Sequence, residues 1–196
     1  MKICVPIREK NTKRFLAEFS KAENVADVIE IWFDEVKTSP ELLSRIQKSK
    51  KPILYKVTSP NPNLEIKADY IDFDLNSKPI AHKKLIISYH NFDETPSDKE
   101  LEKIIKKMSK HKPYIYKIAT KAKDFSDSLR MLKLLNTLTL TGKRAICICM
   151  GKEGKITRAA GHLFGNYLMF APLDEKNASA PGQLTLKDLK KIHNLL

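Results

Sequence analysis

Lys117 lies in an apolar, β-branched run, Tyr114-Ile115-Tyr116-Lys117-Ile118-Ala119, where a strand would carry its amine into a desolvated wall. Desolvation disfavours the charged form of an amine and lowers its pKa, and a neutral amine attacks carbonyl carbon. The same position also suits a lysine that reaches past a strand edge to water or pairs with a carboxylate, so the residue alone leaves both readings open. His90 closes the run Leu85-Ile86-Ile87-Ser88-Tyr89-His90 and is the side chain best placed to move protons near neutral pH. Alone, it is equally compatible with a hydrogen-bonded structural histidine. On neighbouring strands, the two would put a nucleophilic amine beside a proton-transfer group. Glu30 in VIEIWFDE, with Asp34 behind it, Arg158 after the run AICICM, and Ser179 and Gln183 in ASAPGQL add polar groups at or just beyond apolar runs. A guanidinium can grip a carboxylate through two parallel hydrogen bonds, and hydroxyl and amide side chains can read substrate hydroxyls. Singly, each has an ordinary capping or pairing role; gathered at one mouth, they suit a polar, anionic, hydroxylated ligand.

The elements that would gather them follow from the apolar pattern. Runs with strand character are expected at Lys2–Ile7, Val28–Phe33, Pro52–Val57, Tyr70–Asp74, Lys84–Tyr89, Tyr114–Ala119, Arg144–Met150 and Leu168–Pro172. Between them, TKRFLAEFSKAEN, SPELLSRIQKS, SDKELEKIIKKM, DFSDSLRMLKLLNTL, EGKITRAAGHLFG and TLKDLKKIHNLL space their apolar residues as helices do, several behind a Ser, Thr or Asp cap. NPNLEIKAD and NSKPIAHK, after the third and fourth strands, are too short and too marked by Pro and Asn for full helices. Eight strands in β/α order predict a (β/α)8 barrel with reduced helices after strands 3 and 4, its chemistry at the C-terminal strand ends. The competing open doubly wound sheet lacks its glycine-rich phosphate loop after the first strand, where CVPIREKN stands.

Composition bounds the rest. The 196 residues are 42% hydrophobic and 30% charged, as in a soluble globular chain able to bury its own core, and with no linker or internal repeat the expectation is one domain over 1–196. No stretch approaches the length of a membrane span and the first residues lack a signal-peptide core, which places the expected location in the cytoplasm. Cys4, Cys147 and Cys149 are odd in number and sit in strand-like runs, so buried thiols are expected rather than disulfides or a metal site. His82, His111, His162 and His193 lack ligand spacing and are assigned no chemistry. The net charge of +13 attracts anions. Because the lysines spread along helical faces without aromatic partners, no specific nucleic-acid partner is expected.

Taken in order, these motifs resemble the type I 3-dehydroquinate dehydratases over essentially the whole chain. SYHNF followed by Thr95-Pro96 resembles the family's histidine segment, YIYKIA its lysine strand, MGKEGKITR its Met-Gly-x-x-Gly-x-x-x-Arg run, and ASAPGQL its closing loop. The resemblance implies that Lys117 forms a Schiff base with 3-dehydroquinate and that His90 moves the protons. It implies that Arg158 holds the substrate carboxylate, with Glu30, Ser179 and Gln183 as further substrate contacts. It also implies that no metal or diffusible cofactor is needed and that the chain forms a homodimer. Departures fall in the same pocket: Trp32 and Thr58 stand where the family has arginines, Pro62 is nearest the place of a glutamate that assists the histidine, with Glu65 as a substitute after a loop shift, and Gly165-Asn166 replaces Gly-Ser. Two other functions compete, an aldolase-type Schiff-base lyase and a noncatalytic anion-binding barrel. The first would bring a phosphate-binding glycine loop that is poorly supported here, and the second would bind polyanions without forming an adduct.

Overall fold

The computed structural model describes residues 1–62 and 65–195. Eight strands alternate with helices: β1 (Ile3–Ile7), α1 (Thr12–Val25), β2 (Val28–Ile31), α2 (Pro40–Gln47), β3 (Ile53–Lys56), β4 (Tyr70–Asp74), β5 (Leu85–Asn91), α3 (Asp98–Ser109), β6 (Ile115–Lys121), α4 (Phe125–Leu140), β7 (Ala145–Met150), α5 (Lys155–Ala160), β8 (Met169–Phe170) and α6 (Leu186–His193). Short 3-10 turns follow β2, α5 and β8. All neighbouring strands are parallel, in the order β7-β6-β5-β4-β3-β2-β1-β8. Among the described residues no helix separates β3 from β4 or β4 from β5, as the short Pro- and Asn-marked segments predict; Asn63 and Leu64 of the first segment lie outside the described residues. No helix among them is long and apolar enough to cross a membrane.

The period of two along each strand sorts side chains between two cores. Val5, Ile29, Tyr55, Ile87 and Cys147 point outward and pack under the helices with Phe15, Phe19 and Leu135. Cys4, Val28, Leu54, Tyr70, Ile86, Ile115, Ile146 and Leu168 fill the barrel interior. The three cysteines are free and buried. Helix starts follow local chemistry: Asn11, Ser39, Asp124 and Thr185 accept N–H groups of the first turn, while Glu100 takes back both the N–H and the hydroxyl of Ser97.

The expected strand eight shrinks to a two-residue ladder with β1, and β2 stops at Ile31 because Phe33–Glu35 turns into 3-10 geometry. The barrel closes between β7 and β8 through a seam rather than a ladder. Tyr167 N–H donates to Ala145 O (2.8 Å), and Cys147 N–H donates to the side-chain Oδ1 of Asn166 (2.9 Å). Asn166 thus satisfies a buried strand amide that has no backbone partner across the gap.

Candidate active site

Toward the C-terminal ends of the strands, the inward-facing positions turn from apolar to charged. On β4, Tyr70 lies in the interior apolar layer, and Asp72 and Asp74 follow at the same period; on β3, Lys56 follows Leu54, and on β6 Lys117 follows Ile115. Asp72, fully buried, lies between two lysines. Lys117 Nζ donates to Asp72 Oδ2 (2.8 Å) and Glu30 Oε1 (3.3 Å), and Lys56 Nζ donates to Asp72 Oδ1 (3.1 Å) and Ser88 Oγ (2.9 Å). The Phe170 ring covers the Lys117 ammonium at 4.5 Å.

Of the two readings left open for Lys117, these contacts favour the lysine paired with carboxylates over the amine of lowered pKa. Burial is the largest single influence and pulls it down, but the Asp72 and Glu30 carboxylates outweigh it and hold the amine above its ordinary value. In turn, Asp72, which burial alone would push up, is held well below the usual carboxylate range by Lys117 and Lys56. The resting lysine is a buried ammonium in a charge-paired cluster.

An inner cavity of about 70 Å³ is lined by all six predicted residues, Glu30, His90, Lys117, Arg158, Ser179 and Gln183, together with Met150 and Lys56. Trp32, Lys56, His90 and Phe92 also line an outer cavity of about 540 Å³, bordered by Thr58, Ser59, Asp74 and Lys78. Through these four shared residues the larger cavity offers an approach to the smaller one, which contains the candidate reactive groups. His90 is lowered from its usual pKa chiefly by burial, with Asp74 acting in the opposite direction from 3.6 Å (Nδ1 to Oδ2). Its ring stacks on Phe92.

Arg158 is fixed by the start of α5, where Thr157 Oγ1 accepts Cys149 N–H (2.8 Å) at the end of β7. The arginine is 3% exposed, and its Nε and Nη2 have no hydrogen-bond partner. Burial pulls its pKa down to about 10. A buried guanidinium with free donors beside a cavity is complementary to an oxyanion. Across from it, Gln183 Oε1 accepts Ser179 N–H (2.7 Å), and Gln183 Nε2 donates to Ser179 Oγ (3.2 Å). Their loop is seated on the end of β7: Gly151 N–H donates to Pro181 O (3.2 Å), and Gly182, at φ +77°, comes so close that a Cβ would lie 2.4 Å from Gly151 O.

Residues 63–196 match the family described as Type I 3-dehydroquinase. The chain belongs to that family. A 3-dehydroquinate dehydratase of Coxiella burnetii (strain Dugway 5J108-111) is 31% identical over 219 aligned residues that cover 98% of this chain and 92% of that protein. The bifunctional chloroplastic 3-dehydroquinate dehydratase/shikimate dehydrogenase of Arabidopsis thaliana is 30% identical over 223 residues, and the chain spans 36% of its length. Among solved structures, the 3-dehydroquinate dehydratase of Aquifex aeolicus VF5 superimposes with a TM-score of 0.80 at 27% identity, covering 100% of this chain and 99% of that one.

Against this type I dehydroquinase background, the departing residues Trp32 and Thr58 are built into local contacts. Trp32 Nε1 donates to Glu30 Oε2 (3.2 Å), and Arg8, paired with Glu35 through two hydrogen bonds of 3.0 Å, stacks on the indole at 4.3 Å. Thr58 is a strut: its N–H (2.7 Å) and Oγ1 (3.3 Å) both donate to Asp34, which makes Asp34 a loop anchor. Glu65 is exposed, and the acid against His90 is Asp74 from β4, its Oδ2 3.6 Å from Nδ1. Lys56, Asp72 and Asp74 were not singled out from sequence. Their signal was available in the two-residue period, which puts them on the same strand face as Leu54 and Tyr70.

Proposed function

We propose that the chain catalyses the syn elimination of water from 3-dehydroquinate to 3-dehydroshikimate through a Schiff base on Lys117, a step of the shikimate pathway. The observation that carries this is one cavity shared by a buried lysine, a histidine and an unpartnered buried arginine. Arg158 holds the substrate carboxylate, while Glu30, Ser179 and Gln183 orient the hydroxyl-bearing ring. On binding, Lys117 passes a proton to its carboxylate neighbours, and its free amine attacks the C3 carbonyl. His90 relays a proton from the attacking nitrogen to the oxygen, and the resulting carbinolamine takes up the proton that Lys117 first gave away and collapses to water and an iminium ion. The iminium draws electrons from the C2–H bond, His90 takes that proton, and the electron pair expels the C1 hydroxyl, which leaves as water with the proton His90 returns. Hydrolysis of the imine releases the product and restores the amine.

The reading extends to a single barrel over 1–196 acting in the cytoplasm as a homodimer, with 3-dehydroquinate as its small-molecule partner and neither nucleic acid nor membrane as a target. Incubation with 3-dehydroquinate, borohydride reduction and intact mass measurement test the chemistry. The protein is expected to gain the mass of a reduced imine, and Lys117→Ala to gain none. A parent protein that stays unmodified at saturating substrate refutes the Schiff base.

A further inference from the structure

The Schiff-base reading uses one lysine, yet the barrel interior holds two. Lys56 is 6% exposed, as is Lys117, and lines both the approach and the reaction cavity. Its ammonium is on the second oxygen of the carboxylate that holds Lys117. A carboxylate with one ammonium on each oxygen is shared between them. Each cation weakens the other's hold on the anion, and the two cations repel across it through a poorly screened interior. We propose, building on the Schiff-base reading, that Lys56 is a positioning residue: by occupying Asp72 and Ser88, it keeps Asp72 from locking Lys117 as an ammonium and so lets the nucleophile shed its proton.

The surroundings of Lys117 leave this role to Lys56. Cys4 faces it from β1, Glu30 from β2, Asp72 from β4 and His90 from β5, with Arg158 on the same cavity beyond β7 and the Phe170 ring from β8. The anions there, Glu30 and Asp72, favour the protonated lysine, and Lys56 is the cation on Asp72's other oxygen. Lys56 also acts on His90, where its charge disfavours the imidazolium. It therefore biases both proton-handling groups toward their neutral, reactive forms.

The test is the pH dependence of adduct trapping with 3-dehydroquinate and cyanoborohydride, in the parent, Lys56→Met, Lys56→Gln and Lys56→Arg, with the modified lysine mapped by peptide mass. Both neutral variants are expected to move the midpoint for adduct formation upward by about one pH unit or more, a roughly tenfold slower trapping at fixed pH on the rising limb. Lys56→Arg, which keeps the charge, is expected to restore it. If Met shifts the midpoint while Gln does not, the effect is packing and the proposal fails. An unmoved midpoint in both, or an adduct on Lys56 itself, overturns it while leaving the Schiff base standing. A parent that traps nothing overturns both.

Discussion

Replacing Arg158 by methionine should make the free protein more stable and nearly unable to bind its anion. Arg158 is 3% exposed with two donors unpartnered, and burial pulls its pKa down from the ordinary guanidinium value to about 10, which corresponds to about 3 kcal/mol of disfavoured charge. The folded state holds this proton less tightly than the unfolded chain does. The penalty is therefore fully present at neutral pH and fades only as pH climbs past about 10. Methionine keeps most of the aliphatic contacts and removes the charge, so urea unfolding is expected to show a gain of about 1–3 kcal/mol with an unchanged m value. The same substitution deletes two charge-assisted hydrogen bonds to the ligand carboxylate, about 1.5–3 kcal/mol each, so affinity for 3-dehydroquinate should fall by about 10² to 10⁴. Urea titration and equilibrium binding on one preparation give both numbers. A variant that is less stable than the parent yet binds within about threefold would refute the idea that this arginine is held unpaired for an anion.

Three other perturbations have defined outcomes. Asp74→Asn removes the group that favours protonation of His90, so the histidine's NMR titration midpoint should move further down in pH; an upward movement would show that Asp74 is not its electrostatic partner. Asn166→Ala leaves the Cys147 amide buried without an acceptor, which should cost about 1–3 kcal/mol in urea unfolding. Gly182→Ala forces a side chain onto Gly151 O at a positive φ, so the loop carrying Ser179 and Gln183 should lift, raising KM well before global stability falls. A variant with the parent's KM would mean the loop is not held there by that contact.

The barrel was legible because its strands announce themselves twice, by β-branched composition and by helical spacing between them. The six predicted site residues were legible because each lies at or just beyond a strand end and belongs to an ordered run of motifs. Lys56 and Asp72 were hidden for the opposite reason. ILYK and YIDFD read as ordinary strands with a polar residue near the end, and only the register that sets Lys56 beside Asp72 and Ser88 beside Lys117 shows two charged rows meeting inside the barrel. The sign of the Lys117 shift stayed open for the same cause, since desolvation can be inferred from local sequence but carboxylates on β2 and β4 cannot. Strand eight is shorter than its apolar run suggests because its flanks, Tyr167 and Ala171, each add only a single strand-like backbone hydrogen bond to the two-residue ladder.

The seam at Asn166 bears on how this barrel can deform. β6 and β7 share six register pairs, whereas β7 and β8 meet through the Tyr167 and Asn166 contacts and β8 pairs with β1 over two residues, so the compliant side of the wall lies around β8. Gaping between β7 and β8 breaks about three hydrogen bonds, counting Gly151 N–H to Pro181 O, each worth about 1 kcal/mol net, where gaping between β6 and β7 would unzip a six-pair ladder. Arg158 is on the β7 side of that seam and the Ser179–Gln183 loop on the β8 side. The flank proposed to hold the anion is therefore also the one expected to yield first, while Lys56, Asp72 and Lys117 lie where neighbouring strands are paired in register.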